Sequence, residues 1–135
     1  PILGICLGMQ GIVHSFGGKI IHAKEPMHGK ISFLLHDEKG IYEKIPQNIE
    51  IMRYHSLVVD IETLPDCFDI NGISQENDNE NNMLEIKQIT PKCEIMAISH
   101  KIYPIYGIQF HPESFGSEGG IEILQNFLFK DDGFK

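Results

Sequence analysis

Pro1-Ile2-Leu3-Gly4-Ile5-Cys6-Leu7-Gly8-Met9-Gln10-Gly11 is the stretch that decides how this chain folds. The apolar run from Ile2 to Ile5 reads as a buried strand. A helical pattern follows at once, from about Leu7 to Phe16, with Leu7, Ile12, Val13 and Phe16 as candidate core contacts. Between the two lies Gly4-x-Cys6-x-Gly8, the nucleophile-elbow pattern with Cys in place of Ser. A nucleophile on a sharp strand-to-helix turn has its side chain pushed into the open by strained backbone. Glycines two residues either side let strand and helix approach without a Cβ clash. The helix N-terminus is expected to set positive partial charge beside the sulfur and favour thiolate. The competing reading is a buried structural cysteine between two loop glycines, since free Cys is among the most buried residue types.

Working outward, 135 residues suit one domain, residues 1–135, with a core of its own. Composition is that of a globular protein, 41% hydrophobic and 22% charged. Eleven basic against 19 acidic residues leave a net charge of −8 and no basic stripe, which argues against nucleic acid or an anionic membrane surface as partner. No apolar run approaches a membrane span, and the N-terminus lacks the basic leader of a signal peptide. The three cysteines, Cys6, Cys67 and Cys93, form no C-x-x-C and are odd in number. That argues against a disulfide framework or zinc ribbon and for a reducing, cytoplasmic compartment. The chain starts without Met inside what reads as a central strand, so a missing upstream portion is expected.

Gly17-Gly18 should stop the first helix. Lys19 to Ala23 reads as a strand, Glu25 to Lys30 as a turn, and Ile31 to Leu35 as another strand. Ile49 to Tyr54 alternates apolar and polar residues, and Leu57 to Val59 and Cys67 to Ile73 follow as strands. The segment from Gln75 to Asn82 has no apolar residue and reads as a solvated, disordered loop, with Met83 to Thr90 as a hairpin extension. Glu94 to Ser99 and Tyr106 to Phe110 are further strands. A last helix, Glu118 to Phe129, should bury Ile121, Leu124, Phe127 and Leu128 as one face. Strand, helix, many short strands and a final helix suit an α/β domain with a β-rich insertion.

Near the C-terminus, Ile108-Gln109-Phe110-His111-Pro112-Glu113-Ser114 closes the last strand. His111 and Glu113 are two apart, and extended backbone would project them to the same side. A carboxylate beside imidazole can take its Nδ1–H, fix the tautomer and leave Nε2 to receive a thiol proton. Strand ends are also where open α/β sheets put their crevice. Together with the elbow this would make a Cys–His–carboxylate site. A metal site is the rival reading. The histidines at 22, 28, 36, 55, 100 and 111 show no tight ligand spacing, so no metal is expected.

Five collinear stretches carry a resemblance. Gly4 to Gln10 (GICLGMQ), Phe16 to Lys19 (FGGK), Met27 to Lys30 (MHGK), Arg53 to Val59 (RYHSLVV) and Gly107 to Ser114 (GIQFHPES) resemble class I glutamine amidotransferases over nearly the whole chain. MHGK with YHSLVV is most similar to the glutaminase components of anthranilate synthase and aminodeoxychorismate synthase. The resemblance implies a flavodoxin-like α/β fold and glutamine as substrate. Cys6 would attack the glutamine carboxamide and form a γ-glutamyl thioester, His111 would move protons, and Glu113 would orient His111. The Leu7 N–H would be an oxyanion donor. Gln10, with backbone around His55, Ser56 and Leu57, would hold the substrate. Met27, His28, Gly29 and Lys30 would face a chorismate-using synthase, to which ammonia would pass. No cofactor is implied in this chain.

The family pattern also implies an N-terminal portion before the elbow, with more parallel strands and a glycine-rich loop giving a second oxyanion N–H. This chain lacks those residues, so its own competence is in question. Three rival functions stay open: a glutaminase serving GMP or carbamoyl phosphate synthesis, a non-catalytic partner-binding module, and a Cys–His hydrolase of γ-glutamyl peptides.

Overall fold

The computed structural model describes residues 1–75 and 93–129, without the side chains of residues 25–28. Strand β1 (Ile2–Ile5) leads into helix α1 (Leu7–Ser15), with Cys6 alone between them. The helix stops where expected. Gly17 takes φ +98, a left-handed value that favours glycine, and its N–H bonds to the His14 carbonyl at 3.0 Å.

The strands that follow are longer than the sequence suggests. β2 runs unbroken from Ile20–His36 and pairs antiparallel with β3 (Ile49–Val59), from Ile20 opposite Val59 to Leu34 opposite Ile49. The expected turn from Glu25 to Lys30 is therefore part of a strand. Register shifts between His22 and Met27 and between His28 and Lys30 absorb the irregularity. Pro26 cannot donate to a ladder, and Gly29 sits at φ +73, so bulges are where such residues fit. The two stretches expected as separate strands in β3 merge likewise. β4 (Phe68–Gln75), β5 (Ile95–His100) and β6 (Ile105–Ile108) complete the described sheet. Its order is β1-β6-β5-β4-β2-β3. Only β1 and β6 are parallel; the rest is an antiparallel extension, the β-rich part foreseen from the sequence. The polar segment after Gln75 and the hairpin expected at Met83 to Thr90 fall outside the described residues.

Two apolar clusters hold the layers together. Met9 and Val13 of α1 meet Val59, Phe68, Ile95 and Ile98. A larger cluster gathers Leu34, Ile51, Met96, Ile108 and Phe110 beneath the last helix, α2 (Gly120–Phe129), and the 3-10 turn at Gly40–Tyr42. Each helix buries the expected face only in part: Ile12, Val13 and Phe127 lie at the core as expected, and other residues do not. Leu7 is 75% exposed and Phe16 is also exposed, while Gln10 is buried in their place. In α2, Gly120 and Ile123 are buried and Phe127 packs beside them, whereas Ile121 and Leu128 face outward. At the helix start, a Cβ at Gly120 would stand 1.8 Å from the Pro112 carbonyl oxygen, so this end of the helix packs closely against the turn that follows β6. Asn126 then fastens the helix, donating from Nδ2 to the Ile41 and Glu43 carbonyls at 2.9 and 3.1 Å. Among the described residues, no helix is long and apolar enough to cross a membrane.

Candidate active site

Parallel pairing of β1 with β6 sets Ile5 opposite Ile108, and the Cys6 N–H bonds to the Ile108 carbonyl at 2.7 Å. The strand carrying Cys6 and the strand leading to His111 therefore end at one edge. Cys6 has φ 55 and ψ −105, a strained left-handed conformation for a residue with a side chain. Gly4 makes the turn possible. A Cβ there would come within 2.6 Å of the Gly8 carbonyl carbon and of Ile12 Cδ1. Gly8 itself has open space beside it, so the steric argument for two glycines holds for only one of them.

The Cys6 sulfur lies among polar groups. Its S–H donates to the Tyr54 carbonyl at 3.7 Å, and Gln109 Nε2 donates to Sγ at 3.6 Å. Burial pushes the thiol up from its ordinary value; the Leu7 N–H and the Gln109 amide pull the other way, and the Glu113 carboxylate adds to the rise. The net direction is opposite to that expected from the helix N-terminus alone. Desolvation outweighs two donors, and the resting group is a thiol that needs a base.

His111 follows β6 and is tied down on both sides. Its N–H bonds to the Met52 carbonyl at 3.2 Å, and its own carbonyl accepts from Ser117 Oγ at 2.6 Å. Nδ1 lies 2.6 Å from Glu113 Oε1. The two side chains meet across a turn, with Ser114 N–H bonding to the His111 carbonyl at 3.1 Å, rather than along extended backbone. With Nδ1–H given to the carboxylate, Nε2 is left to take a proton. Tyr54 touches both halves: its carbonyl meets the thiol, and its ring stands edge-on to His111 with centroids 5.7 Å apart.

The remaining expected residues fall around this edge. Gln10 is buried and donates from Nε2 to the Leu57 carbonyl at 3.0 Å and to Gln109 Oε1 at 3.1 Å. Both its N–H bonds stay inside the protein, so its Oε1 is the atom that could meet a ligand. His55 is also turned inward, held between Arg53 Nε at 3.0 Å and the Leu57 carbonyl at 3.0 Å. Burial, then the Arg53 charge, push its pKa down to about 4. Ser56 is exposed and Leu57 half-buried. The backbone of Met27 and His28 pairs with His55 and Tyr54, and that of Lys30 with Arg53, which sets this strand segment beside the site. Gly29 lies under the Tyr54 ring, and Lys30 is exposed; the Met27 and His28 side chains lie outside the description.

Several residues escape the sequence reading. Arg53 is fully buried, donating to Ser32 Oγ at 3.0 Å and paired with Glu94. Gln109 is fully buried against the sulfur. A polar residue inside an apolar run next to the expected base is the one signal that could have found it. Among the described residues, no group of three or more His, Cys, Asp or Glu could hold a metal ion.

Comparison with known proteins widens the view. A family model described as glutamine amidotransferase class-I matches residues 1–131. Anthranilate synthase component 2 of Leptospira biflexa is 46% identical over 128 residues, 95% of this chain and 58% of the relative. Aminodeoxychorismate synthase component 2 of Escherichia coli (strain K12) is 40% identical over 130 residues, 96% of this chain and 61% of the relative. A crystal structure described as that of a GMP synthase subunit from Thermoplasma acidophilum superposes with TM-score 0.76 at 31% identity, over 94% of this chain and 55% of that one. The chain thus spans less than two thirds of the length of these relatives.

Proposed function

The chain belongs to the class I glutamine amidotransferases, and from that premise we propose that it supplies the glutaminase site of a chorismate-using synthase, making anthranilate or aminodeoxychorismate. The observation that supports the reading most is the shared strand end. β1 and β6 run parallel, and they bring Cys6 and the His111–Glu113 contact to one edge of the sheet.

The reaction follows from the groups at that edge. His111 Nε2 takes the Cys6 proton as the sulfur attacks the carboxamide carbon of glutamine. The Leu7 N–H, at the start of α1, faces the developing oxyanion. As the C–N bond breaks, His111 returns its proton to nitrogen and ammonia leaves. Water then attacks the γ-glutamyl thioester, His111 accepting its proton, and glutamate departs as the thiol is restored. Glu113 holds Nδ1–H throughout and steadies the imidazolium. Gln10 Oε1 and the backbone of residues 55–57 bind the substrate. The strand segment at Met27 to Lys30 meets the synthase, to which ammonia passes. Nothing in this scheme calls for a cofactor or metal in the chain, and we assign the protein to the cytoplasm.

Identity of 46% and 40% with chorismate-linked glutaminases favours them over the GMP-linked relative at 31%. The test is Cys6→Ser in the protein assembled with its synthase. Glutamine-dependent amination of chorismate should vanish while ammonium-dependent amination survives. Loss of both would sink the assignment of Cys6.

A further inference from the structure

Gln109 is fully buried at the end of β6, a setting in which a side-chain amide needs partners for both its atoms. We propose that Gln109 is a catalytic residue, whose Nε2 hydrogen bond holds the Cys6 sulfur as thiolate forms, and that Gln10 fixes it in the donating orientation. The chemistry served rests on the glutaminase reading; the contact itself does not.

An amide can be turned either way, and here its direction is set from a distance. The Arg53 guanidinium can only donate. Its Nε–H meets His55 Nε2 at 3.0 Å, so that nitrogen accepts and the imidazole proton sits on Nδ1. Nδ1–H donates to the Leu57 carbonyl at 3.0 Å. That oxygen can only accept, and its second donor is Gln10 Nε2 at 3.0 Å. The other N–H of the same amide goes to Gln109 Oε1 at 3.1 Å. With its carbonyl claimed by Gln10, Gln109 presents N–H to Cys6 Sγ at 3.6 Å.

The consequence appears when the thiol ionises. The resting S–H donates to the Tyr54 carbonyl. Once the proton has gone, that carbonyl repels the sulfur, and the Gln109 and Leu7 N–H groups become its partners. Bonds to an ionised acceptor are about twice as strong as neutral ones, so Gln109 contributes most at the charged stage and least to the neutral thioester. It opposes the burial that pushes the thiol up.

The test is the rate of Cys6 alkylation by iodoacetamide against pH, in the complete protein, with adducts mapped by mass. Gln109→Leu should slow Cys6 alkylation at pH 7 about tenfold and move the profile to higher pH. Cys67 and Cys93 should react as before. Should the leucine variant not fold, Gln109→Glu decides: it keeps size and the acceptor for Gln10, removes the donor, and should slow Cys6 further. A folded variant of either kind with the wild-type profile would overturn the proposal. So would Cys67 and Cys93 speeding up together with any change at Cys6, since that reports general loosening. Alkylation needs no glutamine, so failure here is separate from failure of the glutaminase reading, which shows as wild-type protein that releases no ammonia.

Discussion

Cys6 is held at φ 55, where an L-residue with a side chain costs about 1–3 kcal/mol. The strain aims the sulfur, and glycine at this position would relieve it. Cys6→Gly should therefore be more stable than Cys6→Ala by about 1 kcal/mol, as read from urea unfolding, with both inactive; equal midpoints would mean that the turn is unstrained. His55 shows the opposite bargain, a group kept neutral by burial. Its pKa lies at about 4 against an ordinary 6.5, so the unfolded chain takes up a proton that the fold refuses between those values. Stability is undiminished above pH 6.5, declines as pH falls through the window, and levels below about 4. Melting temperature should drop from pH 7 to 4.5. His55→Gln, which can still accept from Arg53 and donate to Leu57, should flatten that drop; an equally steep fall would assign it to other groups. Cys6, His111 and Glu113 stand out in the sequence because each sits in a short local pattern of particular residue types, G-x-C-x-G and H-P-E. Gln109 and Arg53 do not. Their partners come from β2, β3, α1 and the residue before β5, and a polar residue in an apolar run, the one local signal, does not say which distant groups it will meet.

At the scale of elements, α2 is located by a contact rather than by its apolar stripe. Six of its ten residues are large and apolar, so more than one face reads as buried from spacing alone. Gly120 lets the start of the helix pack closely, since only hydrogen fits against the Pro112 carbonyl. That carbonyl belongs to the turn that joins His111 to Glu113. Gly120→Ala should thus cost about 1–3 kcal/mol of stability and also lower turnover, although it lies outside the site. Denaturation and steady-state assay of one preparation would check this; lost stability with wild-type turnover would mean that the turn moves independently of the helix. The merging of β2 has a similar moral. Pro26 and Gly29 read as a turn in one dimension, yet pairing with β3 carries the strand through them by bulging.

Across the whole molecule, the parallel pairing of β1 and β6 sets Cys6 and His111 at one edge of the sheet, in a chain that spans 58% of the Leptospira biflexa relative. Apolar side chains stand exposed near that edge, with Phe115 wholly in solvent, Leu7 largely so and Tyr54 about half exposed. The edge is therefore open to a substrate-like probe. A glutamine-like diazo ketone should leave one adduct, on Cys6, protected by excess glutamine and absent from Cys67 and Cys93. Adducts spread over all three cysteines would mean that the pocket does not select for glutamine. Fold class could be read from the alternation of elements, but sheet order could not. It depends on the first strand lying beside the last, a pairing whose halves are Ile2 and Ile105.

That pairing has a consequence in time. A ribosome adds roughly 5–20 residues each second, so several seconds separate the making of Cys6 from the making of His111. During that interval β1 has no β6 to pair with, and Cys6 has no His111 at the same edge. On the proposed assignment, the growing chain carries its thiol unpaired with a base until β6 has been made and laid beside β1.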